Sequence, residues 1–264
     1  MTVAVAFQAP PPPLVQEPPP PLGELDERQT RVHLAACYRL VSHFGMTDLV
    51  YSHISAPVPG EPGHFLINPY GMSFDEITAS SLVKIDYDGE LVEPSPYPVN
   101  KTGFLAHSAI HKARPDVGCV LHTHTRAGIA VSCMEEGLLP LNQHALLLYG
   151  WLAYHDYEGI VLDTTEQERL VADLGDKRAL ILRNHGLLTV GRTIPEAFEV
   201  MYYLDKACGV QLDLLATGRP LRMPPREVAE KTVSRYDDGG FAGTVRSWPA
   251  LLRMLDAKDP SYRD

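Results

Sequence analysis

The chain has 264 residues, 45% hydrophobic and 21% charged, the composition of a globular protein long enough to bury a sizeable core. Its 33 acidic residues outnumber 23 basic ones for a formal net charge of -10, which argues against a nucleic-acid-binding protein. No apolar run reaches membrane-spanning length and the N-terminus lacks a signal-peptide pattern, so no membrane partner and a cytoplasmic location are expected.

In chain order, residues 1–24 carry two proline clusters, Pro10–Pro13 and Pro18–Pro21, which read as a polyproline II arm lying on the body or on a neighbouring subunit. From Asp26 the pattern turns helical. Val32, Ala36, Leu40 and Phe44 recur every four residues, and Gly45 stands where a C-terminal cap belongs. Strands are expected at Val50–Ser55, Phe65–Asn68, Val83–Asp86 and Glu90–Glu93, the last two joined by a Tyr87-Asp88-Gly89 hairpin. A helix over Asn100–Lys112 is stopped by Pro115 and feeds a strand from Val117 to Leu121. After a helix over Arg126–Met134 come strands Ala179–Arg183 and Leu187–Val190. Thr193-Ile194-Pro195-Glu196 then opens a long helix to about Ala216, closed by Gly218. A last helical piece spans Trp248–Leu255. Residues 25–220 form the body, and 221–264 an extension packing on it or on a neighbour. Mixed helices and hairpin-linked strands indicate an α/β layered fold around a mainly antiparallel sheet. Cys37, Cys119, Cys133 and Cys208 show no C-x-x-C pairing and are expected reduced and buried.

The chemistry concentrates at Val120-Leu121-His122-Thr123-His124-Thr125. Strand alternation points His122 and His124 to one face, half of a metal site. His185 follows another apolar strand and precedes Gly186, supplying a third imidazole at a strand end. Three protein ligands leave positions open for substrate, the catalytic type of site.

These blocks resemble the class II aldolase/adducin superfamily. The resemblance is carried by Ala113-Arg114-Pro115-Asp116-Val117, His122-Thr123-His124-Thr125 and Leu182-Arg183-Asn184-His185-Gly186-Leu187-Leu188. Ser52-His53-Ile54-Ser55 and Ile67-Asn68-Pro69-Tyr70-Gly71 support it. It implies a three-layer α/β/α fold with a central mainly antiparallel sheet, and a homotetramer with sites between subunits. It also implies a divalent metal on His122, His124 and His185, zinc first, with manganese, cobalt or iron as alternatives. The acid/base glutamate of the family's sugar-phosphate aldolases falls at Gly103, which cannot transfer a proton. That departure is similar to the adducin-like branch. The family's anion-binding places read here Ser52-His53, Tyr70-Gly71 and Lys101-Thr102, and Asn68 and Gly103 are further expected substrate-binding positions. Lys101 and His53 are expected to bind a carboxylate or phenolate of a small anionic substrate. His107 and His144 are the expected proton donors. Tyr154, His155 and Glu158 form an aromatic-acidic loop that is a further candidate lining. The expectation is a metal-dependent carbon–carbon lyase, a decarboxylase before an aldolase, acting on a hydroxy or oxo carboxylate or an aromatic hydroxy-acid. A sugar-phosphate aldolase with a replaced acid/base, a non-haem iron oxygenase and a non-catalytic adducin-like assembly module stay open.

Overall fold

The computed structural model describes residues 25–159, 164–237 and 244–264, without the side chains of Lys101, Thr102, Thr164, Tyr236, Asp237, Thr244, Val245 and Arg246. The 1–24 arm with its proline clusters therefore lies outside the described residues.

Helix α1 (Glu27–His43) begins where the sequence places it. The Asp26 carboxylate accepts from the Gln29 amide at 2.7 Å, and the Gln29 side chain accepts from the Asp26 amide at 2.9 Å. Seven strands follow: β1 (His53–Pro57), β2 (His64–Ile67), β3 (Val83–Asp86), β4 (Cys119–Thr123), β5 (Leu152–His155), β6 (Ala179–Leu182) and β7 (Gly186–Gly191). They form one sheet in the order β3-β2-β1-β4-β7-β6-β5, and every neighbouring pair is antiparallel except β5–β6.

Both faces of the sheet are covered, and side-chain alternation sorts the core into two layers. Leu121, Ile181 and Leu187 pack with Leu34 of α1 and with Met201 and Leu204 of α6 (Ile194–Ala216). On the opposite face Val120, Leu180, Leu182 and Leu188 meet Ala106 and Ile110 of α2 (Lys101–Ala113). Leu170 and Leu174 of α5 (Thr164–Leu174) complete that layer. The result is the three-layer α/β/α architecture with a mainly antiparallel sheet. Helices α3 (Arg126–Ser132) and α4 (Gln143–Leu147) pack against α6, and α7 (Arg226–Asp237) against α4. Helix α8 (Thr244–Lys258) docks on α1 and α6, where Trp248 Nε1 donates to His33 Nδ1 at 2.8 Å.

Several elements depart from the sequence reading. The expected Glu90–Glu93 strand is reduced to a single bridge between Ile85 and Leu91. Leu91 and Val92 are exposed, so no core consolidates a strand there. Helices α4, α5 and α7 and strand β5 have no counterpart in the reading. Cys133 is exposed rather than buried, because it caps the short helix α3 at its solvent end.

Tyr38, fully buried on α1, ties that helix to the site-bearing edge of β1. Its hydroxyl oxygen accepts from the Ile54 amide at 2.9 Å and the Asn68 amide at 3.0 Å, while its proton faces the Ile54 carbonyl and Asn68 Oδ1. Tyr38→Phe strands two buried amides and is expected to lower stability by about 2–4 kcal/mol, read from the urea midpoint.

Candidate metal centre

His122 lies in β4 as the cross-strand partner of His53 in β1, and Thr123 pairs with Leu187 of β7. This register aims His122 Nδ1 at the Leu187 carbonyl, 2.9 Å away. His124 stands just beyond the strand, with Nδ1 2.9 Å from Asp48 Oδ2. A carbonyl and a carboxylate can only accept, so both hydrogens sit on Nδ1 and both Nε2 atoms carry a lone pair. His185 comes from the tight turn between β6 and β7, where Asn184 adopts a left-handed φ of 55°. Gly186 makes the approach possible, since a Cβ there would lie 2.6 Å from the Thr123 carbonyl oxygen.

The three Nε2 atoms converge. That of His124 is 2.8 Å from His122 Nε2 and 2.9 Å from His185 Nε2. Two lone pairs facing each other at such distances repel unless a cation or proton lies between them. Burial, then the neighbouring imidazoles, pushes His122 well below the usual histidine range and His185 to about 4, so protons are disfavoured. Three convergent imidazoles, two of them with fixed tautomers, fit a divalent transition-metal ion.

The triad opens on a cavity of about 270 Å³ lined also by His53, His107, His155, Tyr157 and Glu166. His53 Nδ1 lies 3.0 Å from His107 Nε2. His107 Nδ1 lies 2.6 Å from Ser55 Oγ, which also meets His111 Nε2 at 2.8 Å. Burial, with His124 and His185 behind it, pushes His53 to about 3; burial, with His53 and His111, lowers His107. Two orientations of the hydrogens satisfy this chain, and they exchange His53 Nε2 between donor and acceptor.

Gly103 explains its own missing side chain. A Cβ there would fall 2.5 Å from His53 Cδ2 and 2.8 Å from Nε2, so the imidazole fills the space a larger residue would use. Ser52, Asn68, Tyr70 and Gly71 do not line the metal cavity among the described residues. Asn68 is buried and turned to Tyr38, and Ser52 Oγ is buried. His144 stands against Tyr203 with ring centroids 5.1 Å apart, away from the cavity of its own chain. Lys101 starts α2, but its side chain and that of Thr102 lie outside what is described. Arg114 forks onto Asp116 at 2.8 and 2.7 Å and donates to the Gly175 carbonyl, fastening the entry to β4. Sequence reasoning missed Asp48, whose only signal is a carboxylate between α1 and β1, and the Ser55–His111 link.

Two outcomes test this geometry. Asp48→Asn is expected to weaken metal binding on the order of 10–100-fold in a competition titration with a coloured chelator, with the fold intact. Gly103→Ala must displace the His53 ring, and its expected cost is about 1–3 kcal/mol in denaturant unfolding.

The comparisons with known proteins follow the same residues. Residues 32–212 match the family described as the class II aldolase and adducin N-terminal domain. A solved aldolase II superfamily protein from Pseudomonas syringae is 50% identical, with a TM-score of 0.87 over 90% of this chain and 96% of that one. An L-fuculose 1-phosphate aldolase from Glaciozyma antarctica PI12 is 30% identical, with a TM-score of 0.80 over 90% and 93%. Alpha-adducin of Rattus norvegicus is 44% identical over 245 residues, 87% of this chain but 33% of that longer protein. With the fold and more than half its length matched, the chain belongs to the class II aldolase and adducin family.

Proposed function

We propose that this chain is a divalent-metal-dependent carbon–carbon lyase acting on a small hydroxy or oxo carboxylate, with decarboxylation ahead of aldol cleavage. The observation that carries the reading is the convergence of three Nε2 atoms, two of which carry lone pairs because the His122 and His124 hydrogens are committed to Leu187 and Asp48. A divalent ion held by His122, His124 and His185, zinc first, supplies Lewis acidity toward the electron pair left when a bond beside a carbonyl breaks.

The chain's own groups divide the remaining work. The cavity of about 270 Å³ suits a compact substrate rather than a long one. His53, neutral through burial, contributes a directed ring nitrogen at the wall beside His122. The proton assigned to His107 passes through His53, because both His107 nitrogens are already engaged. In the orientation that puts a hydrogen on Nε2, His53 gives that proton to the carbanion left by loss of CO₂ and takes one back from solvent through the open site. Lys101, at the start of α2, is assigned the substrate carboxylate. We place the cavity mouth against a neighbouring copy in a homotetramer, a reading supported by exposed Tyr51 and Tyr157 on the cavity lining and by exposed Leu49 beside it.

One observation favours a second reading, a non-catalytic assembly module: the 44% identity to alpha-adducin of Rattus norvegicus. The two are separated by stripping the protein with chelator and reloading it with zinc, manganese, cobalt or ferrous iron. Release of CO₂ and of aldehyde is then measured across a panel of hydroxy- and oxo-dicarboxylates. Metal-dependent turnover that disappears in His122→Ala is the expected result. Failure of every metal with every panel member, together with sub-stoichiometric metal in the purified protein, selects the assembly module.

A further inference from the structure

The cavity lining includes a member of a second imidazole–carboxylate pair. His155 ends β5 and is buried, and its Nδ1 lies 2.7 Å from Asp173 Oδ2 on α5. The carboxylate accepts, so the hydrogen is on Nδ1 and Nε2 carries the lone pair. That Nε2 is buried with no hydrogen-bond partner among the described residues. His155 nevertheless lines the metal cavity, together with His185 and Glu166.

Two alternatives to a chemical role fail on physical grounds. As a strap between β5 and α5, the pair is a poor stabiliser. The Asp173 side chain is 45% exposed, and such ion pairs are worth about 0–1 kcal/mol. Leaving a buried ring nitrogen unsatisfied costs about 1–3 kcal/mol, so the arrangement works against stability. As a fourth metal ligand it is misplaced, since the group whose donor atoms lie within 4.8 Å of one another contains His122, His124 and His185 alone among the described residues. The pair instead repeats the Asp48–His124 arrangement, a carboxylate behind Nδ1 and a lone pair offered forward. His124 offers it to the triad's centre. His155 lines the cavity, and no described residue takes its lone pair.

We propose that His155 is a catalytic proton-transfer residue of this site, oriented by Asp173 as a positioning residue, and that it makes substrates with a hydroxyl β to a carbonyl accessible. The proposal rests on the lyase reading above. In cleavage, the substrate hydroxyl gives its proton to His155 Nε2. The bond between the hydroxyl-bearing carbon and its neighbour breaks, and the hydroxyl carbon leaves as an aldehyde. The electron pair of that bond passes into the adjacent carbonyl as an enolate. The imidazolium then returns its proton to the enolate carbon, so no oxidant, reductant or further reactant is needed. Position 103, filled by the His53 ring, does not have to supply the base.

The test uses hydrogen exchange, which requires neither a known aldehyde nor net cleavage. Metal-loaded protein is incubated with pyruvate in D₂O, and loss of the methyl signal is followed by ¹H NMR. The C3 proton goes to Nε2, exchanges with solvent, and a deuteron returns. Wild-type protein is expected to catalyse exchange, and His122→Ala is not. His155→Asn is expected to retain its metal and its melting temperature while exchange slows by about 100-fold or more. Asp173→Asn, a change at a half-exposed carboxylate that opens no cavity, is expected to lower kcat with KM held within about twofold, a split a purely structural contact would not give. That variant decides the matter if His155→Asn does not fold. Metal-loaded His155→Asn or Asp173→Asn exchanging at the wild-type rate overturns the role of His155 and leaves the lyase reading standing. Absence of both exchange and cleavage in wild-type protein removes the lyase reading and this proposal together.

Discussion

Two ring nitrogens, Nε2 of His122 and of His124, are held 2.8 Å apart with no hydrogen between them, and much of the surrounding structure serves that arrangement. The hydrogens that could relieve the repulsion are drawn backward, by the Leu187 carbonyl at His122 and by Asp48 at His124. The Leu187 carbonyl is in place only because β4 and β7 pair with Thr123 opposite Leu187. A one-residue slip of β4 would turn His122 toward α6 and put Thr123, now bonded to Met201, into the cavity. The two faces of β4 are filled by different cores, so the register that packs Val120 and Leu121 is also the register that builds the site.

This coupling explains what could be read from the residues alone. Alternation along a short apolar strand suffices to put His122 and His124 on one side, because a strand buried on both faces leaves no freedom of register. The apolar run Ala179–Leu182 and the glycine after His185 likewise mark a strand end and a close backbone approach. Asp48 and Asp173 were not legible, since each joins its histidine across 76 and 18 residues and nothing local distinguishes them from other surface carboxylates. Strand β5 escaped notice for a related reason: three of its four residues are only partly buried, so it lacks a clear alternation, and its pairing with β6 is parallel and non-local. The reverse error at Glu90–Glu93 came from trusting turn chemistry. The Asp-Gly turn forms, with Gly89 at a φ of 86°, but the residues beyond it have no core to face.

The site is also electrostatically unusual for a chain so acidic overall. Its heart is assembled from neutral imidazoles, kept neutral by burial and by one another, with carboxylates placed behind rather than between them. At the triad, carboxylate charge stands one layer back, where Asp48 fixes the His124 tautomer. That layering separates the task of aiming a lone pair from the task of offering it.

Gly103 and His53 finally bear on how such a site can change over generations. Because a Cβ at 103 and the ring at 53 claim the same volume, the two positions cannot vary independently. A lineage restoring a carboxylate at 103 meets a steric barrier at its first step unless the imidazole has already gone. Removing the imidazole first breaks its bond to His107 and leaves that buried ring without a partner on one side. Either order passes through a damaged intermediate, so the present pairing is historically sticky: once adopted, it tends to hold the chain on its own branch.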